Sequence, residues 1–539
     1  MQLSEQGLLN DKAKWEAAGY NLPKYDRAVM VERTKENPWW IHFGAGNIFR
    51  AFQANVAQNL LNDGTLDRGV IAVGGSEAME QLFHPHDNYT VLVTLKADGS
   101  VEKTVVGSLA ETLTMDDGYE NDFARMKEIF TKDSLQMVSF TITENGYSLL
   151  GPDGEYAPQV AADMAAGPEK PVSYMGKITA YLYARYQAGA RPIAMVSMDI
   201  CSHNGDILRA AVEGIAKKWV ENGVAEEGFT AYLADADKVS FPWTMNDKIT
   251  PRPDASVEEM LNKDNIDGLK PIVTRRSTFI APFVNAEECE YLVIEDWFPN
   301  GRPALEKGGI IFTTRETVEK VERMKVCTCL NPLHTALAIF GCLLQKERIC
   351  DEMKDETLKK LVEGIGYKEG LPVVSDPKVL NPKDFIDDVV QVRLPNPFMP
   401  DTPQRIATDT SKKLAIRFGE TIKAYRDSDE FDVADLKLIP LVFAGWLRYL
   451  MAIDDNGNPM ECSPDPVLEL VHEDKAGFKL GEVTDVDKVE EVLKPLLEEG
   501  VILGVNLYEV GMARKVCELF VEMMAGPGAV RATLEKYVG

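Results

Sequence analysis

Apolar residues in the N-terminal half of the chain arrive in short continuous runs separated by helical periodicity. Trp39-Trp40-Ile41-His42-Phe43 is a mostly apolar run that ends at Gly44-Ala45-Gly46. Ile48, Phe52, Val56, Leu60 and Leu61 then recur at the spacing of one helix face. Val70-Ile71-Ala72-Val73 reads as a second buried strand. Strand, glycine turn, helix and strand together predict a βαβ unit. Tyr89–Thr94 and Val101–Val106 flank Ala97-Asp98-Gly99-Ser100, whose Asp-Gly pair predicts a β-hairpin inserted into this domain. Met137–Ile142 and Pro192–Ser197 are further strand candidates, with a helical pattern from about Tyr174 to Ala188 between them. Residues 1–36 read as polar helices and turns.

After about residue 315 the texture changes. Stretches 316–326, 332–350, 356–366, 410–426, 434–453, 487–499 and 509–536 carry helical periodicity, and strand signals are sparse. The Leu333, Ala336, Leu337, Phe340 and Leu344 stripe is the core face of one such helix. A chain of 539 residues is too long for one core, because single domains stop growing near roughly 250–300 residues. The expectation is an α/β, Rossmann-like N-terminal domain with the hairpin insertion over 1–315, and a mostly α-helical C-terminal domain over 316–539.

Composition narrows the function. The net charge of −27 argues against nucleic acid as a partner, since that needs a basic face, but leaves room for a local basic pocket. Residues 1–20 lack a basic-then-apolar leader pattern, and no uncharged apolar run approaches the roughly 20 residues that span a bilayer. Eight cysteines without tandem spaced pairs fit reduced thiols, so a cytoplasmic protein without membrane or obligate protein partners is expected.

The glycine turn is the first candidate site. Gly44 permits the tight turn, Gly46 lets a pyrophosphate approach the backbone, and Asn47, Ile48 and Phe49 open a helix whose N–H groups face that phosphate. The third glycine of the usual pattern is replaced by Phe49. Glu77, after the second strand, is either the residue that holds the adenosine ribose and favours NAD over NADP or a solvated loop glutamate.

A second cluster lies in Glu322-Arg323-Met324-Lys325-Val326-Cys327-Thr328-Cys329-Leu330-Asn331-Pro332-Leu333-His334. Singly, each residue has a plain structural reading. Asn331 before Pro332 is a helix cap, His334 is a polar residue of the first turn, and Lys325 is a solvated helix face. Together they suit ketone–alcohol chemistry. Hydride transfer needs a proton donor at oxygen, a buried lysine supplies one, and Asn and His stabilise the alkoxide. Cys327, Cys329 and His334 also raise a zinc enzyme, although a second spaced ligand pair is lacking.

At these residues the chain resembles the long-chain mannitol dehydrogenase family, over nearly its whole length. Ile41–Arg50 resembles the family's opening strand and turn, and Thr143-Glu144-Asn145-Gly146-Tyr147 its T-E-x-G-Y segment. Phe241–Pro251 resembles its F-P-x-x-M-x-D-R-I-x-P signature with Lys248 in place of Arg, and Glu295-Asp296-Trp297-Phe298 its I-E-D-x-F segment. The resemblance implies a metal-independent enzyme with catalysis between the two domains. Lys325 is then the general acid/base, Glu322 assists proton exchange, and Asn331 and His334 hold the oxyanion. Arg405 and Lys413 match a pair that binds substrate hydroxyls or a carboxylate, and Asp247 and Asn204 are further contacts. Two departures stand out. Lys325 and Asn331 are spaced K-x5-N where the family commonly has K-x4-N, and one extra residue in an α-helix turns a side chain by roughly 100°. Ile200, in Ser197-Met198-Asp199-Ile200, replaces an asparagine that supports the oxyanion.

What the resemblance implies is an NAD-dependent oxidoreductase acting on a small sugar acid, interconverting a keto-uronate and an aldonate of the D-fructuronate/D-mannonate type. The alternatives are a neutral polyol 2-dehydrogenase acting on mannitol and fructose, a tagaturonate reductase, and a protein that binds nucleotide or sugar without turnover.

Overall fold

Alternation within the apolar runs decides how the first sheet is buried. Successive strand residues face opposite sides, so a strand covered on both faces reads as continuously apolar. Ile41, Phe43, Ile71, Val73, Val138, Phe140 and Met195 fill one core, while Trp40, Val70, Ala72, Met137, Ala194 and Val196 fill the core on the other side. This is a computed structural model, and it describes residues 1–468 and 477–539.

Six strands form this sheet: β1 (Trp40–Phe43), β2 (Val70–Gly74), β3 (Leu109–Thr114), β4 (Met137–Phe140), β5 (Ile193–Ser197) and β6 (Val239–Ser240). Their order is β3-β2-β1-β4-β5-β6 and every pairing is parallel. This is the Rossmann order, with its switch point between β1 and β4. The predicted hairpin forms between Thr90–Leu95 and Val101–Val106, with Thr90 opposite Val106 and Leu95 opposite Val101. It belongs to a second sheet completed by Tyr20–Asn21 and Phe283–Glu287. The short strand Tyr20–Asn21 pairs in parallel with the hairpin; two residues carry too little periodicity to be read in advance.

The helix after the glycine turn differs from expectation. It is broken at Phe52 (φ −114°, ψ −79°) into Asn47–Ala51 and Gln53–Asn62. The apolar stripe is kept across the break, because Phe52, Val56, Leu60 and Leu61 are all buried.

The chain divides into two units. Met1–Lys96 with Ser100–Glu319 is the first; Lys320–Gly539 is the second, to which residues Ala97–Gly99 are also assigned. The second unit is helical, and it departs from the periodicity in several places. The 332–350 stretch is helical only to Leu343 before a new turn at Ile349–Glu352. The 509–536 stretch is two helices, Ala513–Met523 and Ala529–Val538, split where Gly526 and Gly528 adopt positive φ. A helix at Pro382–Asp388 was not expected; the Asn381 side chain caps it by accepting from Lys383 and Asp384 N–H. Arg315–Leu343 is a continuous helix, long and apolar enough to cross a membrane by length and composition, yet its most apolar part is 83% buried inside the protein, as in a core helix.

Candidate functional site

The glycine turn leaves β1 at the switch point. Gly44 has φ +104°, and a Cβ there would lie 2.0 Å from the Thr141 carbonyl oxygen at the end of β4, so only glycine fits. A Cβ on Gly46 would meet nothing within 4 Å, which leaves open space over the turn. Gly46 precedes the Asn47–Ala51 helix and provides no side-chain cap, so the first N–H groups of that helix lack internal acceptors. Those N–H groups and the open side of Gly46 fit a dinucleotide phosphate. Phe49 presents only its main chain at the turn, since its ring is buried and stacked on His42 at 3.8 Å.

His42 holds this turn through a chain of hydrogen bonds. The Thr141 hydroxyl donates to Gly44 O (2.9 Å) and therefore accepts from His42 Nε2–H (2.8 Å). His42 Nδ1 in turn accepts from the Ser139 hydroxyl (2.7 Å), which accepts from Trp40 Nε1–H (2.7 Å). Burial pushes the imidazole down to about 3, so it is neutral here. The sign of the linkage follows. A histidine whose folded value lies below its unfolded 6.5 is fully compatible with the fold above pH 6.5 and costs stability as pH falls from 6.5 towards 3. At about 1.4 kcal/mol per pH unit, acidification to pH 5 costs ~2 kcal/mol through His42. Urea unfolding at pH 7 and pH 5 tests this: His42→Gln should show a correspondingly flatter pH dependence, and an identical slope in both proteins would remove His42 as the cause.

Motifs far apart in sequence meet at the ends of β4 and β5. Asp199 accepts from the N–H groups of Ile142 (3.0 Å) and Thr143 (2.9 Å) and from the Tyr147 hydroxyl (2.5 Å). Burial raises the Asp199 carboxyl, and these three bonds oppose that. The adjoining Ile200 is 60% exposed. Asn204 is fully buried and its amide is spent: Nδ2 donates to Asp199 O (3.0 Å) and Thr244 Oγ1 (2.8 Å), and Oδ1 accepts from Thr244 N–H (3.0 Å). Asn204 thus ties the Asp199 loop to Thr244. Asp247 is buried on Thr244–Asp247, and the neighbouring Lys248 ion-pairs with Glu290 at 2.7 Å. Glu77 lies in the turn after β2 and accepts from Arg275 N–H at 3.1 Å.

The second unit gathers the lysine cluster around one helix. Lys325 begins a π-helical turn, Lys325–Cys329, closed by Leu330 N–H to Lys325 O (3.1 Å). A π turn holds one residue more than an α turn. It takes up the extra residue of the K-x5-N spacing without breaking the helix. Lys325 is buried at 8% exposure, which overturns its reading as a solvated helix face. Glu322, three residues earlier on Arg315–Met324, is half-buried.

Asn331 is not a cap. Leu330 occupies the N-cap of helix Asn331–Leu343, Pro332 is the second helical residue, and the buried Asn331 Oδ1 has no hydrogen-bond partner among the described residues. Proline is tolerated in the first turn, and no side chain caps this helix. His334, one turn on, lies 3.7 Å from Asp401. Burial pushes its imidazole down to about 4; Asp401 opposes this and Arg417, Arg405 and Arg393 reinforce it. It is neutral at physiological pH.

Arg405 is largely exposed and ion-pairs with Asp401. Lys413 donates to Ile406 O (3.0 Å) and Thr408 O, and burial lowers it, helped by Arg417 and Arg405. Helix Pro403–Ala407, which carries Arg405, packs on Asn331–Leu343. Sequence reasoning missed Asp401, Arg393 and Arg417. Asp401 and Arg417 each stand four residues from a named residue, Arg405 and Lys413. Lys325, Arg393 and Arg417 all lie in π turns, Lys325–Cys329, Val389–Arg393 and Ala415–Gly419. Cys327 and Cys329 are buried; burial raises the Cys327 thiol to about 11, and Cys329 Sγ faces Pro382 O at 3.6 Å.

The family model for the mannitol dehydrogenase Rossmann domain matches residues 39–307, and that for the mannitol dehydrogenase C-terminal domain matches 317–496. The chain is 51% identical to a D-mannonate oxidoreductase of Thermotoga maritima over 98% of both chains. It is 29% identical to a polyol:NADP oxidoreductase of Gluconobacter oxydans over 82% of this chain and 86% of that one. Among solved structures, mannitol 2-dehydrogenase of Pseudomonas fluorescens, in ternary complex with NAD and D-mannitol, matches 99% of both chains at 26% identity with a TM-score of 0.66.

Proposed function

Because the chain belongs to the mannitol dehydrogenase family, we propose that it is an NAD-dependent oxidoreductase interconverting D-fructuronate and D-mannonate with a lysine general acid/base. The observation that carries the substrate is the 51% identity, over nearly the full chain, to a protein named D-mannonate oxidoreductase. NAD suits the open glycine turn and the acidic Glu77 behind β2, whose charge disfavours a 2′-phosphate. A cytoplasmic setting suits eight free cysteines.

When bound, the dinucleotide supplies the hydride that forms the new C–H bond. In this reading the Lys325 ammonium gives its proton to the ketone oxygen as that bond forms, and takes it back in the reverse direction. Glu322 exchanges that proton with solvent. Asn331 and neutral His334 donate to the oxygen as negative charge develops on it. A neutral imidazole does this without competing with Lys325 as the acid. Arg405 and Lys413 hold substrate hydroxyls or a carboxylate, Asp247 is a further contact, and Asn204 acts by positioning the Asp199 loop.

NADH consumption with D-fructuronate, D-tagaturonate and D-fructose tests the assignment. The expected result is kcat/KM highest for D-fructuronate. Preference for D-fructose would move the protein to the neutral-polyol branch, and a preference for NADPH would remove the role given to Glu77.

A further inference from the structure

The cations around His334 are not equivalent. Arg405 is paired with Asp401, and the Lys413 ammonium is engaged by two main-chain carbonyls. Arg417, in the Ala415–Gly419 π turn, makes one hydrogen bond, from a terminal guanidinium nitrogen to Thr335 Oγ1 at 2.6 Å. It has no carboxylate partner among the described residues. The side chain is half-buried, and burial lowers it to about 10. Arginine stays charged even so, and a half-buried guanidinium without a carboxylate partner is open to an anion. The bond to Thr335 occupies one end of the guanidinium. Its Nε and second terminal nitrogen form the edge that matches two carboxylate oxygens.

The anchor places this edge near the chemistry. Thr335 follows His334 directly and stands four residues after Asn331 on helix Asn331–Leu343, and its side chain is buried at 1% exposure. Arg417 is close enough to His334 to depress its protonation. The guanidinium is therefore fixed to the helix that carries the oxyanion residues.

Resting on the uronate reading above, we propose that Arg417, oriented by Thr335, is the residue that pairs with the substrate carboxylate and so selects sugar acids over neutral ketoses. Arg405 and Lys413, already engaged within the unit, are left to the hydroxyl groups.

The test compares wild type, Arg417→Met, Arg417→Lys and Thr335→Val, with a thermal melt on each to establish folding. In Arg417→Met the ratio of kcat/KM for D-fructuronate to that for D-fructose falls on the order of 30-fold, mainly through KM, as expected for loss of a charged hydrogen-bond pair. Arg417→Lys recovers part of the ratio, because it keeps the charge but not the paired donors. Thr335→Val shifts the ratio the same way by less, and with the lysine variant it decides the matter if Arg417→Met does not fold. Equal losses for both sugars would overturn the proposal. If wild type reduces only D-fructose, the uronate reading fails on its own. Inhibition by D-mannonate then reports on the carboxylate site: inhibition lost in the Arg417 variants supports it, and inhibition unchanged overturns it.

Discussion

Replacing Lys325 with alanine should lower kcat for ketone reduction by about 10³-fold, within the range expected for loss of a positioned acid, while NADH still binds. The separation arises because the two functions lie in different units. The glycine turn is built from β1, β4 and the His42 chain in the first unit, and Lys325 belongs to the second. A truncated lysine leaves the turn untouched. The loss should appear equally in kcat and kcat/KM, because the proton is needed only in the transition state. NADH fluorescence titration beside steady-state kinetics checks this. A Lys325→Ala protein that loses NADH binding and activity together would mean a structural part for the lysine.

The second large effect belongs to Asn331. Two accounts of this residue make opposite forecasts. A helix cap replaced by alanine loses ~1 kcal/mol of stability and leaves chemistry alone. An oxyanion donor replaced by alanine loses roughly 10²–10³ in kcat. Since Leu330 holds the cap position and the Asn331 amide oxygen is unpartnered among the described residues, Asn331→Ala should lose about 10²-fold in kcat with little change in unfolding midpoint. Urea unfolding and turnover measured on one preparation separate the two; a lower midpoint with intact kcat would restore the cap.

The fold was legible where a segment's pattern and its final environment agree. Continuous apolar runs such as Val70–Val73 and Met137–Phe140 become strands covered on both faces, and Asp98-Gly99 sets the hairpin turn. The helix at Pro382–Asp388 was signalled by Asn381-Pro382, but Lys383, Asp384, Asp387 and Asp388 dilute its periodicity. Breaks such as that at Phe52 do not show, because the apolar stripe runs through them.

The candidate site divides the same way. Lys325, Asn331 and His334 were readable because one short motif contains them. Their environments were not readable. The sequence leaves Lys325 solvated and Asn331 capping as sensible alternatives, and the π turn Lys325–Cys329 that joins them packs on the π turn Ala415–Gly419, far away in sequence. Arg417 and Asp401 were missed because their meaning comes from Thr335, Arg405 and His334, which tertiary packing brings to them. Asn204 adjoins a motif, and its amide ties that motif to Thr244.

In the proposed reaction Lys325 carries the proton of an NADH-dependent reduction of a keto-uronate. The most direct measurement is the single-turnover rate of NADH consumption with saturating D-fructuronate, for wild type and Lys325→Ala side by side. The account predicts rapid consumption by wild type and a rate about 10³-fold lower in the variant. Equal rates in the two proteins would contradict it.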